Sequence, residues 1–238
     1  MIKSFNLLIF CVFLTSSCTQ AGAASDLEKE KRWSEQIADG LLVGESLQLE
    51  AGGSAFMGIF TEAADGPTGR AVILAHGMGV HPDWPDIINP LRSDLPDHGW
   101  STLSIQMPIL ANDAALKDYA PLFDEVAPRI EAAVRFLREQ GNQTIVLIGH
   151  SLGASMAASY LSSNGQPEIR GLIAIGLSVT AVNDKMNSAL ALEKIHIPVL
   201  DLYGSRDLAG VLRSVKARKK AARKAANSNY QQLEIEGA

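Results

Sequence analysis

Apolar residues fall along this chain in short runs separated by helically spaced stripes. Leu41 to Glu50 and Ala55 to Ala63 alternate in hydrophobicity around Gly52-Gly53, the pattern of an antiparallel hairpin. Four almost wholly apolar runs follow: Ala71 to Ala75, Thr102 to Met107, Thr144 to Ile148 and Leu172 to Ile175. Val199 to Tyr203 and Gln231 to Ile235 complete the set. Continuous apolar runs of this length suit strands covered on both faces, as in parallel sheets.

Between the runs lie stripes at helical spacing. Ile87, Ile88, Leu91 and Leu95 precede Gly99, which is placed to end a helix. Leu122, Val126, Ile130, Val134 and Leu137 form a second stripe closed by Gly141, and Pro128 inside it should kink or divide the helix. Leu152 to Leu161 is rich in Ala and Ser, small enough for a helix to lie close against a sheet. Leu208 to Ala226 predicts a fourth helix, whose Lys216, Arg218, Lys219, Lys220, Arg223 and Lys224 read as a solvated face. The segment between Ile175 and Val199 has room for one short helix and none for a lid domain. The expected fold is α/β: a mostly parallel sheet with helices on both faces, formed by residues 41–238 after a linker or helix at 24–40.

The first 23 residues read as a leader rather than as part of that fold. Lys3 is followed by the unbroken apolar run Leu7 to Leu14 and then by Ala21-Gly22-Ala23, a small-x-small cleavage pattern. The run is far shorter than the ~20 residues needed to span a bilayer. Leu14-Thr15-Ser16-Ser17-Cys18 gives the same stretch a second reading, a lipoprotein signal ending before an acylated Cys18. Either reading sends the protein out of the cytoplasm, to the periplasm or the envelope surface of a bacterium.

Composition changes this picture little. Of 238 residues 47% are hydrophobic and 20% charged, ordinary for a globular domain and enough for one core. The net charge of −5 gives no reason to expect a nucleic-acid partner. Both cysteines lie in the leader, so the remaining chain has neither a disulfide nor a thiol nucleophile. No Cys/His cluster has metal-ligand spacing, and no glycine loop with a lysine could cradle a phosphate; no cofactor is expected.

Three short motifs carry chemistry. Gly149-His150-Ser151-Leu152-Gly153 follows one apolar run and opens the next helix, the strand–turn–helix context of a nucleophile elbow. There Ser151 would be exposed on a strained turn, with helix N-terminal amides beside it. His76-Gly77-Met78-Gly79 follows the run ending at Ala75. The amides of Met78 and Leu152 are the expected oxyanion donors, His76 and Gly77 shape the loop, and His81 and His150 support it or line the pocket. Asp207, just beyond the run ending at Tyr203, is the expected acid that orients an imidazole; it could instead cap the following helix, and Asp184 is the alternative acid.

With these motifs the chain resembles the α/β-hydrolase superfamily. His76-Gly77-Met78-Gly79-Val80-His81-Pro82-Asp83-Trp84-Pro85, Pro90-Leu91-Arg92 and Gly99-Trp100-Ser101-Thr102-Leu103-Ser104 are similar to a group of exported proteobacterial α/β-hydrolase-like proteins without an assigned function. The resemblance covers about Leu41 to Ala238. It implies an α/β-hydrolase fold, a hydrolase ancestry and a histidine in the loop after the last strand, followed by a final helix. In this sequence the last strand is Gln231 to Ile235 and Glu236-Gly237-Ala238 follows, so the expectation is a chain cut before its catalytic histidine, lacking its last helix, with one sheet face partly uncovered and little activity. None of the five histidines is a good substitute: His76 shapes the loop, His150 sits in the elbow, His196 precedes a strand, His98 stands at a helix end beside Gly99, and His81, which follows the oxyanion loop and could line the pocket, is the one alternative base.

The function expected for the intact unit is hydrolysis of carboxylic esters or similar acyl substrates through an acyl-enzyme on Ser151. Two other functions stay open on sequence alone. One is a non-catalytic exported protein that uses the scaffold to bind a ligand or envelope partner; the other is an acyltransferase using the same residues.

Overall fold

A computed structural model describes residues 24–163 and 168–238. The leader, including Cys18, lies outside the described residues. Helix α1 (Leu27–Gly40) comes first, its N-terminus capped by Asp26, whose carboxylate accepts from the Lys29 amide at 2.9 Å. Strands β1 (Glu45–Ala51) and β2 (Ser54–Thr61) then form the antiparallel hairpin, paired from Glu45 opposite Phe60 to Ala51 opposite Ser54. Gly52 and Gly53 make its turn with φ of 59° and 83°, the left-handed pair that a two-residue hairpin turn demands.

The remaining strands are β3 (Arg70–Ala75), β4 (Ser101–Ile105), β5 (Thr144–His150), β6 (Ile169–Ile175), β7 (Val199–Gly204) and β8 (Tyr230–Ile235). The sheet order is β1-β2-β4-β3-β5-β6-β7-β8, parallel from β4 onward. From β3 the chain steps one place to β4, which pairs with the hairpin strand β2, then crosses back over β3 to β5 and continues through β6 and β7 to the edge at β8. The C-terminal ends of β3 and β5 therefore sit side by side, Ala75 paired with Gly149.

Helices cover the two faces unequally. On one face α3 (Phe123–Glu139), α4 (Leu152–Ser163) and α6 (Ala209–Lys224) bury the main core, which includes Ile73, Leu103, Leu147, Leu172, Met156 and Ala221. The other face carries α2 (Ile88–Asp94), whose Ile88 packs with Val72, Leu74 and Ile148. Gly99, with φ of 75°, ends the 3₁₀ turn that continues α2 and redirects the chain into β4. Toward β8 this second face has no covering helix among the described residues, and Leu233 and Ile235 are 50% and 43% exposed. The loop between β6 and β7 carries only the short α5 (Ser188–Leu192), with no lid.

Two expectations from the sequence need correction. Pro128 does not divide its helix: α3 runs unbroken from Phe123 to Glu139. Arg218 is not part of a solvated face. It is fully buried beneath the sheet, donating from Nε to Asp201 Oδ2 at 2.7 Å and from Nη1 to the Val211 carbonyl and the Ser214 hydroxyl. Asp201 in turn accepts from the Tyr230 hydroxyl and from the Gln232 amide. A carboxylate inside an apolar parallel strand has to be neutralised, and α6 turns one of its cations inward to do so.

Candidate active site

Ser151 stands at the tip of a sharp turn between β5 and α4. Its φ is 53°, in the left-handed region that a residue with a Cβ rarely occupies. The turn survives because its neighbours leave no alternative path. A Cβ on Gly149 would fall 2.5 Å from the Ala154 Cα, and one on Gly153 would fall 2.3 Å from the His76 carbonyl oxygen. The two glycines thus let α4 leave directly over β5 and let the β3 loop press against the start of α4. Leu152 is the first residue of that helix, so its amide is among those without an intrahelical partner. The Ser151 amide itself donates to the Ile175 carbonyl at 2.8 Å, tying the elbow to the end of β6.

The loop after β3 closes one side of the turn. A Cβ on Gly77 would lie 3.4 Å from the Ser151 Cβ, so the backbone passes directly beside the serine. His76 is fully buried and holds this path with both ring nitrogens. Its Nδ1–H donates to the Gly77 carbonyl at 2.8 Å, and its Nε2 accepts from the Met107 amide and the Gln106 side chain, each at 2.9 Å. Burial drives its pKa down to about 3, so the ring is neutral and a structural pin. Met78, next in the chain, is 43% exposed, and Gly79 has φ of 72°. The buried Tyr119 hydroxyl hydrogen-bonds the backbone of Gly79 and accepts from the Leu110 amide at 3.2 Å.

Asp207 lies on the same rim, one strand further out than the elbow's tie to β6. Its carboxylate accepts from the Leu208 amide at 2.7 Å and faces Gly176, where a Cβ would be 3.5 Å from Oδ2. Gly176 directly follows Ile175, whose carbonyl holds the serine amide. Asp207 does not cap α6: the residue at that position is Leu208, with no side-chain cap. Asp184, the alternative acid, sits on an exposed turn next to Lys185, which pairs with Asp124.

The histidines are distributed as follows. His150 is half-buried with its Nδ1 unpartnered and close to Gly77; burial lowers its pKa, against the pull of Asp207 and Asp86. His81 is wedged between Trp33 and Trp84, ring centroids 5.2 and 5.6 Å away, and its Nδ1 accepts from the Asp83 amide. His98 and His196 are exposed and precede β4 and β7, at the opposite end of the sheet from Ser151. Among the described residues no group of three or more His, Cys, Asp or Glu is arranged to hold a metal ion.

Three polar networks around the site were not legible in the sequence. Arg92 is buried and donates to Asp83 at 2.6 Å and to the Val43 carbonyl, which fixes the turn after the β3 loop. Arg129 pairs with Glu30, two bonds of 2.9 Å, and donates to the Gln106 carbonyl. Tyr119 is the third. The one available signal was positional: Gln106 lies inside the run Thr102 to Met107, where a buried amide needs partners.

The family model described as a protein of unknown function, DUF3530, matches residues 15–126 and 121–237. The chain belongs to this family. No curated protein matches it. Among solved structures, the Pyrococcus furiosus esterase Pf2001 is similar with a TM-score of 0.66 and 15% identity, over 84% of this chain and 86% of that one. Est1E from Butyrivibrio proteoclasticus has a TM-score of 0.61 and 16% identity, over 82% and 89%. A putative dienelactone hydrolase from Klebsiella pneumoniae has a TM-score of 0.65 and 16% identity, over 82% and 86%. At such identities the likeness establishes the fold, which is that of the α/β-hydrolases.

Proposed function

We propose that this chain is a serine hydrolase of carboxylic esters or similar acyl substrates, acting through an acyl-enzyme on Ser151. The observation that carries the proposal is the left-handed serine at the end of β5, flanked by two glycines that only a tight elbow requires. In this reading Ser151 Oγ attacks the acyl carbon, and the alcohol leaves with a proton. The amides of Met78 and Leu152 hold the oxyanion, and Asp207 orients the imidazole that moves the proton. The similar esterases support this reading by their fold alone. Export by the leader, with or without acylation of Cys18, belongs to the same proposal.

Among the described residues no histidine takes the place of the base in this reading: His76 is locked, His81 is caged by tryptophans, His150 sits within the elbow beside Gly77 with its Nδ1 unpartnered, and His98 and His196 face the other end of the sheet. Turnover by this chain is therefore expected to be poor, because losing the base of such a triad costs on the order of 10⁶ in kcat. Chemical rescue tests both parts. Added imidazole should accelerate hydrolysis of a short nitrophenyl ester by the wild-type chain beyond the rate with Ser151→Ala, which carries only the free imidazole reaction. Identical rates in the two proteins across the imidazole range would contradict the proposal and favour a binding role.

A further inference from the structure

Helix α1 touches the loop beside Ser151 by three separate routes. First, Glu30 pairs with Arg129, Arg129 donates to the Gln106 carbonyl, and the Gln106 side chain meets His76 Nε2, every link at 2.9 Å. Second, Ser25 and Lys29 bind the segment after β4: the Ile109 amide donates to the Ser25 hydroxyl at 2.8 Å, and Lys29 Nζ donates to the Leu110 carbonyl and to Asn112, each at 2.8 Å. The Leu110 amide bonds the Tyr119 hydroxyl, which reaches Gly79. Third, Trp33 packs edge-on against His81, and Lys29 Nζ lies over the Trp33 ring, 4.6 Å from its centroid.

The three routes end at His76, Gly79 and His81, so they bracket Gly77 and Met78 on both sides. Each link is strongly directional. Glu30, Lys29 and Arg129 are buried, and a buried ion pair is a poor source of stability but a good source of unique geometry. We infer that α1 is a positioning element for the oxyanion loop, with Glu30, Arg129 and Trp33 as positioning residues that set where the Met78 amide points. The inference rests on the reading of residues 77–79 as that loop. It places the first described helix of the chain, far from Ser151 in sequence, in control of how well an oxyanion is held.

The test compares the wild-type chain with Arg129→Lys, Glu30→Gln and Trp33→Leu. Amide hydrogen exchange of residues 77–80, the ¹⁵N signals of the His76 ring, and the rate of Ser151 phosphonylation by a fluorophosphonate are followed together. In each folded variant, exchange at residues 77–80 should rise about tenfold or more while β5 and β6 keep their protection. The His76 Nε2 signal should shift in the two charge variants, and phosphonylation should slow about tenfold. Trp33→Leu spares the buried ion pair, so it reports even where a charge variant fails to fold. Unchanged exchange at residues 77–80 would overturn the inference. So would acceleration spread evenly over β3, β5 and β6, the mark of a merely structural helix. The exchange and ring signals do not depend on Ser151 chemistry. A loop-confined response in a chain whose serine never reacts would leave this inference standing and remove the proposed function instead.

Discussion

At the scale of single residues, the site is organised by backbone that cannot relax. Ser151 holds a left-handed φ at about 1–2 kcal/mol for a residue with a Cβ. Ser151→Gly removes that strain but adds unfolded-state entropy, so a net stabilisation of about 0.5–1 kcal/mol is expected, together with complete loss of serine labelling. Urea unfolding checks it. Gly153→Ala should act in the opposite sense, since its methyl would meet two backbone carbonyls inside 2.5 Å; a loss of about 3 kcal/mol or more is expected in the same assay. His76 sets a pH dependence. Its folded-state pKa of about 3 lies below the ordinary 6.5, so the unfolded chain binds a proton that the folded chain refuses. The corresponding stability is fully present above pH 6.5 and is lost as pH falls toward about 3, with a slope of at most ~1.4 kcal/mol per pH unit. His76→Gln should flatten the midpoint-versus-pH curve between pH 6 and pH 4.

At the scale of elements, the central strands β3 and β5 were readable because a parallel strand buried on both faces leaves a continuous apolar run; β4 and β8 carry polar residues between their apolar ones. The hairpin turn was readable because glycine tolerates its left-handed backbone, and the elbow because only glycine permits the close approach at 149 and 153. What the sequence concealed were the charges that turn inward. Arg218 sits in a run of cations, and helical periodicity alone does not separate it from Lys219 or Lys220. The clue lay in another element: Asp201 interrupts the apolar run Val199 to Tyr203 and must find a cation. Breaking that pair by Arg218→Met leaves Asp201 buried with only neutral partners and should lower stability by about 3–5 kcal/mol, measured by thermal or urea unfolding. A linker or helix was expected at 24–40, but the inward packing of α1 was concealed for the same reason. Its inward face presents Lys29 and Glu30, which look like solvent residues until Arg129, Leu110 and Asn112 are seen around them.

At the scale of the molecule, the sheet brings three loops to one rim: after β3, after β5 and after β7. Sequence order separates His76, Ser151 and Asp207 widely, and the crossing from β4 back to β5 brings the first two into contact. The sheet is less evenly covered than its central strands suggest, with Leu233 and Ile235 open on the face opposite α6. The central claim concerns the hydroxyl of Ser151, and covalent labelling addresses it most directly. The 238-residue chain is incubated with a fluorophosphonate, and the adduct is located by peptide mass mapping. The account predicts slow modification of Ser151 alone, abolished in Ser151→Ala. An adduct that persists in that variant, or a serine that stays unmodified after prolonged exposure of the folded protein, would contradict it.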